Sequence, residues 1–223
     1  MLEVTGLTKS YGGKGILNGV SLHVNEGELV SIMGPSGEGK STIARIICGT
    51  VKADGGDVSM SGQPIFSKGK FRPEFRRLIQ LIPQQPFASL DPRQTVGDAI
   101  AEPLLYYKLV SGKKEARQKA QELLKRVLLS PSLYDRRPGE LSGGQAQRVL
   151  IARSLTVSPK LLIADEATSM LDVSSQAQIV SILREIVKAS GISILFISHD
   201  TALVKAISSR IYRLESGILK EVG

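Results

Sequence analysis

Three short stretches of this chain have the residue types and spacing to handle phosphate. The first is "GPSGEGKST", Gly34 to Thr42. It fits the pattern G-x-x-x-x-G-K-[ST], in which glycines let the backbone fold tightly and point N–H groups at phosphate oxygens. Lys40 brings a point charge to the β- and γ-phosphates of a nucleotide, and the Ser41 hydroxyl is placed to ligate Mg2+. Gly34, Pro35, Ser36, Gly37, Glu38, Gly39 and Thr42 complete the cradle. The second stretch, "LLIADE" from Leu161 to Glu166, runs apolar residues into two adjacent carboxylates. Neighbouring strand residues point opposite ways, so the two are expected to have different tasks. Asp165 would hold the Mg2+ shell and Glu166 would polarise an attacking water as general base. The third is "LSGGQAQR", Leu141 to Arg148, where a serine and two glycines open a helical pattern. A helix start is a second anion-binding feature, and a chain of this size has little obvious need of two.

Each stretch has a plainer reading. The first can be a glycine-rich turn, the second a strand ending in a solvated acidic turn, the third a helix cap with Ser142 as capping residue. Capping alone leaves two glycines followed by a glutamine unexplained. Of the two histidines, His23 lies in "SLHVN", where Leu22 and Val24 take the apolar face, so it is expected to face solvent. His199, in "ISILFISHD", follows an apolar strand and can meet a γ-phosphate or orient water.

The elements that would position these residues follow from the apolar pattern. "LVSIM", Leu29 to Met33, reads as a buried strand stopped by Gly-Pro, and Lys40 to Gly49 as a helix ended by glycine. "RLIQLI", Arg77 to Ile82, is a further strand candidate. From Thr95 to Leu155 strand signals give way to apolar residues at helical spacing, as in "EARQKAQELLKRVLL" and "QAQRVLIARSL". Alternation then returns: strand "LLIA", a helix from Ser174 to Ala189 with Ile179, Ile182, Leu183, Ile186 and Val187 as its stripe, strand "ISILFI", and a helix from about Thr201. Strands alternating with helices imply a parallel sheet covered on both faces. The expected fold class is α/β. Its nucleotide-binding core of residues 1–85 and 156–223 holds a mostly parallel sheet, and residues 86–155 form an inserted α-helical lobe.

Bulk properties fit that frame. A chain of 223 residues has ample material for a core. No apolar run reaches the roughly 18 residues of a membrane span, and "MLEVTGLTKS" lacks the layout of a signal peptide. The single cysteine excludes an intrachain disulfide and fits a reducing compartment. The formal charge of +8 suits nucleic acid, an anionic membrane surface or a phosphate-rich ligand. Aromatic residues are few: only Phe71 and Phe75 fall within the basic group at 68–77, and none within those at 113–119 and 136–137, too few for a base-stacking platform. The group at 113–119 alternates with Glu115 and Glu122 as a solvated helix face would.

Together these residues resemble the ATP-binding cassette (ABC) transporter ATPases, over nearly the whole chain. "LSGGQ" matches the family's signature, "LLIADE" its Walker B strand, "SMLD" with Asp172 its D-loop, and His199 its switch histidine. Gln84, in "LIPQQPFASLDPR", matches the Q-loop glutamine, which senses Mg2+ and the γ-phosphate. Tyr11, in "KSYGG", matches the aromatic that stacks on adenine. The resemblance also explains the second helix start. In this family two cassettes pack head to tail, so each ATP lies between one chain's loop and the other's signature. Ser142, Gly143, Gly144 and Gln145 would then meet the γ-phosphate of the partner's nucleotide.

The resemblance implies a P-loop NTPase fold with ATP and Mg2+ as ligands. It also implies a second ABC ATPase chain, transmembrane permease subunits, an extracytoplasmic solute-binding protein, no direct nucleic acid, and a peripheral place on the cytoplasmic face of the membrane. "QQPFASLDPRQTVGDAI" and "DEATSMLD" look like nickel and oligopeptide importer ATPases. "RRPGELSGGQ" has the importer rather than the exporter form before the signature. Ala167 and Met170 depart from the commoner Pro and Ala, and the sequence stops at Gly223 without the tail of many peptide-importer cassettes. These departures favour a metal cargo over a peptide. The competing classes are an exporter cassette and a soluble ABC ATPase acting on nucleic acid or the ribosome. The latter usually carries paired cassettes or a long coiled-coil insert.

Overall fold

The structure, a computed structural model, describes residues 1–223. In chain order its strands are β1 (Leu2–Tyr11), β2 (Lys14–Val24), β3 (Leu29–Met33), β4 (Gly55–Met60), β5 (Gln63–Pro64), β6 (Phe66–Ser67), β7 (Lys70–Phe71) and β8 (Ile79–Ile82), then β9 (Leu161–Asp165), β10 (Ser193–Ser198), β11 (Arg210–Glu215) and β12 (Ile218–Glu221). Its helices are α1 (Lys40–Ile47), α2 (Phe75–Leu78), α3 (Val96–Tyr106), α4 (Lys113–Arg126), α5 (Gly143–Leu155), α6 (Val173–Ser190) and α7 (Thr201–Ile207). The chain divides into two compact units. One comprises residues 1–81, 160–166 and 186–223, the other residues 82–159 and 167–185.

The first unit is built on a six-stranded sheet ordered β12-β11-β3-β10-β9-β8. β10 runs parallel to both β3 and β9, β11 is parallel to β3, and only the β11–β12 pairing is antiparallel among the registers resolved. Every residue of β3, β9 and β10 is buried, as expected of strands covered on both faces. This places the ends of β3, β9 and β10 together, and the predicted phosphate loop, carboxylates and His199 all follow those ends. A second sheet, ordered β2-β1-β4-β5, is antiparallel. It shares one hydrophobic cluster with the first: Leu2, Val4, Leu7, Leu22 and Val58 join Val30, Ile32, Ile43, Ile163 and Leu195. Each such side chain, fully buried, contributes about 1.5–3 kcal/mol. The sequence reading missed this antiparallel sheet.

The second unit is helical between β8 and β9. α4 buries Ala116, Ala120 and Leu124 at helical spacing, while Lys113, Lys114 and Arg117 stay exposed, the solvated face expected of that basic group. α3 is held close to the 131–135 turn by Gly97, where a Cβ would come within 2.2 Å of the Tyr134 ring. The sequence set the helical lobe at 86–155. The second unit also takes in 167–185, because that segment packs on α5: a Cβ on Gly144 would meet Ser175 Oγ at 2.7 Å. In α6, Ile179, Ile182, Leu183 and Ile186 are buried as the stripe predicted, with Val187 half-buried.

Candidate phosphate-binding site

The loop Gly34–Thr42 joins β3 to α1, so a buried strand delivers it and a helix N-terminus closes it. Lys40 is only 4% exposed, and its ammonium donates to the carbonyls of Gly34 and Pro35, each at 2.8 Å. Gly39 needs its glycine twice over: φ is +101°, and a Cβ would stand 2.6 Å from Ile16 Cγ2. Glu38 contributes no carboxylate to the cradle. That group accepts the Ser216 N–H at 2.6 Å.

β9 brings Asp165 to the same place, where Ser41 Oγ donates to Asp165 Oδ1 at 2.9 Å. Burial, above all, holds the Asp165 carboxyl above its ordinary range. The Glu166 charge adds to this, against the Ser41 hydrogen bond and the charges of Arg45 and Lys40. A carboxylate so placed favours a nearby cation. A serine hydroxyl and a carboxylate are hard oxygen donors that suit Mg2+. No cluster of three or more His, Cys, Asp or Glu side chains builds an all-protein metal cage.

Glu166 corrects one sequence inference. Strand alternation would turn it away from Asp165, but β9 ends at Asp165 and Glu166 has φ +48°. A left-handed non-glycine residue costs about 1–3 kcal/mol and persists where its surroundings over-determine it. Here the Glu166 N–H donates to Ile197 O at 2.9 Å, tying the turn to β10. The turn aims both carboxylates at the loop. Glu166 Oε1 lies 3.8 Å from Lys40 Nζ, and Oε2 lies 3.3 Å from His199 Nδ1. His199, at the end of β10, is half exposed; His23 is exposed, as expected, and meets the Tyr212 hydroxyl at 3.2 Å. Tyr11 ends β1, is 49% exposed, and carries the Lys9 ammonium 5.2 Å over its ring.

The remaining candidates belong to the second unit. Gln84 Nε2 donates to Ser169 Oγ at 3.3 Å, and Gln147, from α5, donates to Pro83 O at 3.2 Å. Ser142 caps α5: its Oγ accepts the Gln145 N–H at 3.2 Å, while Gln145 Oε1 accepts the Ser142 N–H at 2.9 Å. This reciprocal box accounts for the glutamine that capping by serine alone did not. The Ser175 contact accounts for Gly144. Gly143 makes only an ordinary approach to Leu171, at 3.5 Å, so its lack of a side chain has no steric cause there. Ser142 is exposed, and serving as an acceptor in the box leaves its hydroxyl hydrogen to donate. Asp172 accepts from Ser175 N–H and Oγ, at 2.9 and 2.7 Å, and the Ser175 N–H leads in holding its carboxyl below its ordinary range. Sequence reasoning missed Ser169, Ser175, Gln147 and Ser216. Of the structural roles, only the box was legible, as S-x-x-Q.

The family model described as ABC transporter matches residues 17–169. The oligopeptide transport ATP-binding protein OppF of Escherichia coli K12 is 45% identical over 210 residues, covering 93% of this chain and 62% of that protein. The glutathione import ATP-binding protein GsiA of Pectobacterium atrosepticum is 48% identical over 205 residues, covering 92% of this chain and 33% of that protein. The chain thus spans less than two thirds of the length of these curated relatives. Among solved structures, the ATP-binding cassette MJ0796, a dimer in a post-hydrolysis state bound to ADP and Pi, superposes with a TM-score of 0.88 at 32% identity. The match covers 100% of this chain and 98% of that one. The cassette cbiO1 of Clostridium perfringens, part of the transporter complex cbiONQ, gives 0.87 at 29% identity, over 98% of this chain and 86% of that one.

Proposed function

The chain belongs to the ABC transporter family, and on that premise we propose that it is the ATP-binding and ATP-hydrolysing subunit of an importer that takes up peptides. The observation that carries the enzymatic part is the Glu166 carboxylate, set between the Lys40 ammonium and the His199 ring beside the phosphate loop. A base near the γ-phosphate must be close to the phosphate-binding cation without coordinating the phosphate itself, and Glu166 has that relation to Lys40. Gly34 to Thr42 cradle the phosphates through backbone N–H groups, and Lys40 neutralises their charge. Ser41 and Asp165 would hold Mg2+, which when bound would offset charge building on the phosphate oxygens. Glu166 takes the proton of the attacking water, and His199 orients that carboxylate. Tyr11 offers its exposed ring to the base.

Ser142, Gly143, Gly144, Gln145 and Asp172 serve the nucleotide of a second cassette chain in a head-to-tail dimer. The dimeric state of the MJ0796 cassette supports that reading. The names of the relatives, oligopeptide and glutathione, favour a peptide over the metal cargo suggested by Ala167 and Met170. No helix is long and apolar enough to cross a membrane. In this proposal the chain sits on permease subunits at the cytoplasmic face, with a solute-binding protein on the far side.

Two measurements test the proposal. Gel filtration with and without Mg-ATP, alongside phosphate release, should find a largely monomeric chain that binds nucleotide and hydrolyses it slowly alone. A tight, fully active dimer without nucleotide would count against the shared-site arrangement. Uptake of labelled peptide and of nickel by the reconstituted complex separates the cargoes.

A further inference from the structure

The phosphate loop is framed by a closed ring of contacts whose last member is remote in sequence. β11 and β12 are joined by a tight turn in which Ser216 and Gly217 are both left-handed, with φ of 51° and 74°, the conformation favoured in two-residue hairpins. This turn touches the loop directly. The Glu38 carboxylate accepts the Ser216 N–H at 2.6 Å. Gly34 lies so close to the strand before the turn that a Cβ would come within 2.3 Å of Leu214 O. The turn also grips β2: Asn18 N–H donates to Gly217 O at 2.8 Å, Asn18 Nδ2 donates to Ser216 O at 3.3 Å, and a Cβ on Gly217 would stand 2.9 Å from Ile16 O. Ile16 in turn abuts Gly39. The ring therefore runs from Glu38 through Ser216, Gly217 and Ile16 back to Gly39, one residue after it started.

Glu38 is also the only acidic residue in the loop. A carboxylate beside a polyanion is unfavourable unless something directs it away, and the Ser216 N–H does so. We infer that Glu38 is a positioning residue and that the β11–β12 turn is the outer jaw of the phosphate loop. Through Glu38, the turn sets how firmly the loop holds nucleotide. The inference rests on the loop being the nucleotide site. It adds that the grip is adjustable from the hairpin, a surface element outside the motif.

The test is the dissociation rate of a fluorescent ATP analogue from the full chain in Mg2+. Hydrogen exchange at Ser216 and the loop amides is read in parallel. Glu38→Ala removes both the tether and the charge, and dissociation should quicken roughly 10-fold, the scale of a hydrogen bond to a charged group. Exchange at Ser216 should rise with it. Glu38→Gln keeps an acceptor oxygen and should recover at least half of that loss on a logarithmic scale. Asn18→Ala loosens the turn from its other side and should speed dissociation a few-fold with little change in Tm. It keeps the test open if Glu38→Ala folds poorly. Lys40→Ala is the control for the site itself. If wild type binds the analogue and Lys40→Ala binds it at least roughly 10-fold more weakly, the site stands. Wild-type dissociation rates in both Glu38→Ala and Asn18→Ala would then overturn the jaw. If wild type fails to bind, the nucleotide reading falls instead.

Discussion

The two helix starts that can meet phosphate are built on opposite plans. At Gly34–Thr42 the side chains are drawn inward: Lys40 is buried, and Ser41 engages Asp165. At Leu141–Gln145 the side chains turn back on their own helix, in a reciprocal cap, and the second glycine makes room for Ser175. The first site is organised by what it binds, the second also by what keeps its helix intact. A loss of function at the first therefore reports binding or chemistry, whereas at the second it mixes ligand contact with helix stability.

The largest test of this contrast is Glu166→Gln. It keeps shape and hydrogen bonding but removes the basic carboxylate. In the assembled complex, hydrolysis should fall by about 10²–10⁴ while ATP binding is kept or tightened, as phosphate release and nucleotide titration would read. Activity within a few-fold of wild type would move the base toward His199. Next is Cys48, just past α1. Burial, and after it the Asp165 charge, pushes its thiol up to about 12. With less thiolate at pH 8, it should be labelled by a thiol reagent more slowly in the folded chain than after unfolding. Labelling as fast in the native protein as in the unfolded chain would mean that the fold does not shield the thiol, and the picture of a closed first site would break.

Lys40→Ala comes third. Losing charge-assisted bonds worth about 1.5–3 kcal/mol should weaken ATP binding roughly 10- to 100-fold by titration. The smallest effect sharpens the comparison most. Ser142→Ala and Ser142→Gly both delete the hydroxyl, but alanine at a helix cap costs about 1 kcal/mol and glycine only a few tenths. Melting should separate them by about 1.5–3 °C, with alanine lower. If the hydroxyl also meets nucleotide in trans, hydrolysis in the assembled complex should fall equally in both. If activity tracks the melting temperature instead, Ser142 is a cap alone.

How much was legible follows from the range of each interaction. The phosphate loop, the carboxylate pair and His199 could be read because each follows an apolar strand that is buried on both faces, and such strands leave a strong local pattern. Tyr11, Gln84 and Asp172 were matched by resemblance. The antiparallel sheet was missed because β1 and β2 mix lysine, glycine and threonine into their alternation, and their register carries bulges. The left-handed turn at Glu166 has no signal in an apolar run ending in Asp-Glu, since it is imposed by Ile197 across the sheet. Nor could Glu38 point to Ser216. A motif position open to any residue gives no hint of a partner that only folding brings near.

The contact between Gly144 and Ser175 also sets rules for inheritance. A methyl group at 144 would overlap both the Cβ and the Oγ of the serine. The two positions can therefore drift only as a pair, and only in one order. The serine must first shrink to glycine, giving up its hydroxyl bond to Asp172 while keeping the backbone one, before residue 144 can gain a side chain. A lineage attempting the reverse passes through a damaged intermediate. Alanine at 144 should consequently be rescued by glycine at 175 and by little else, which makes the signature's second glycine the trace of a neighbour on another helix.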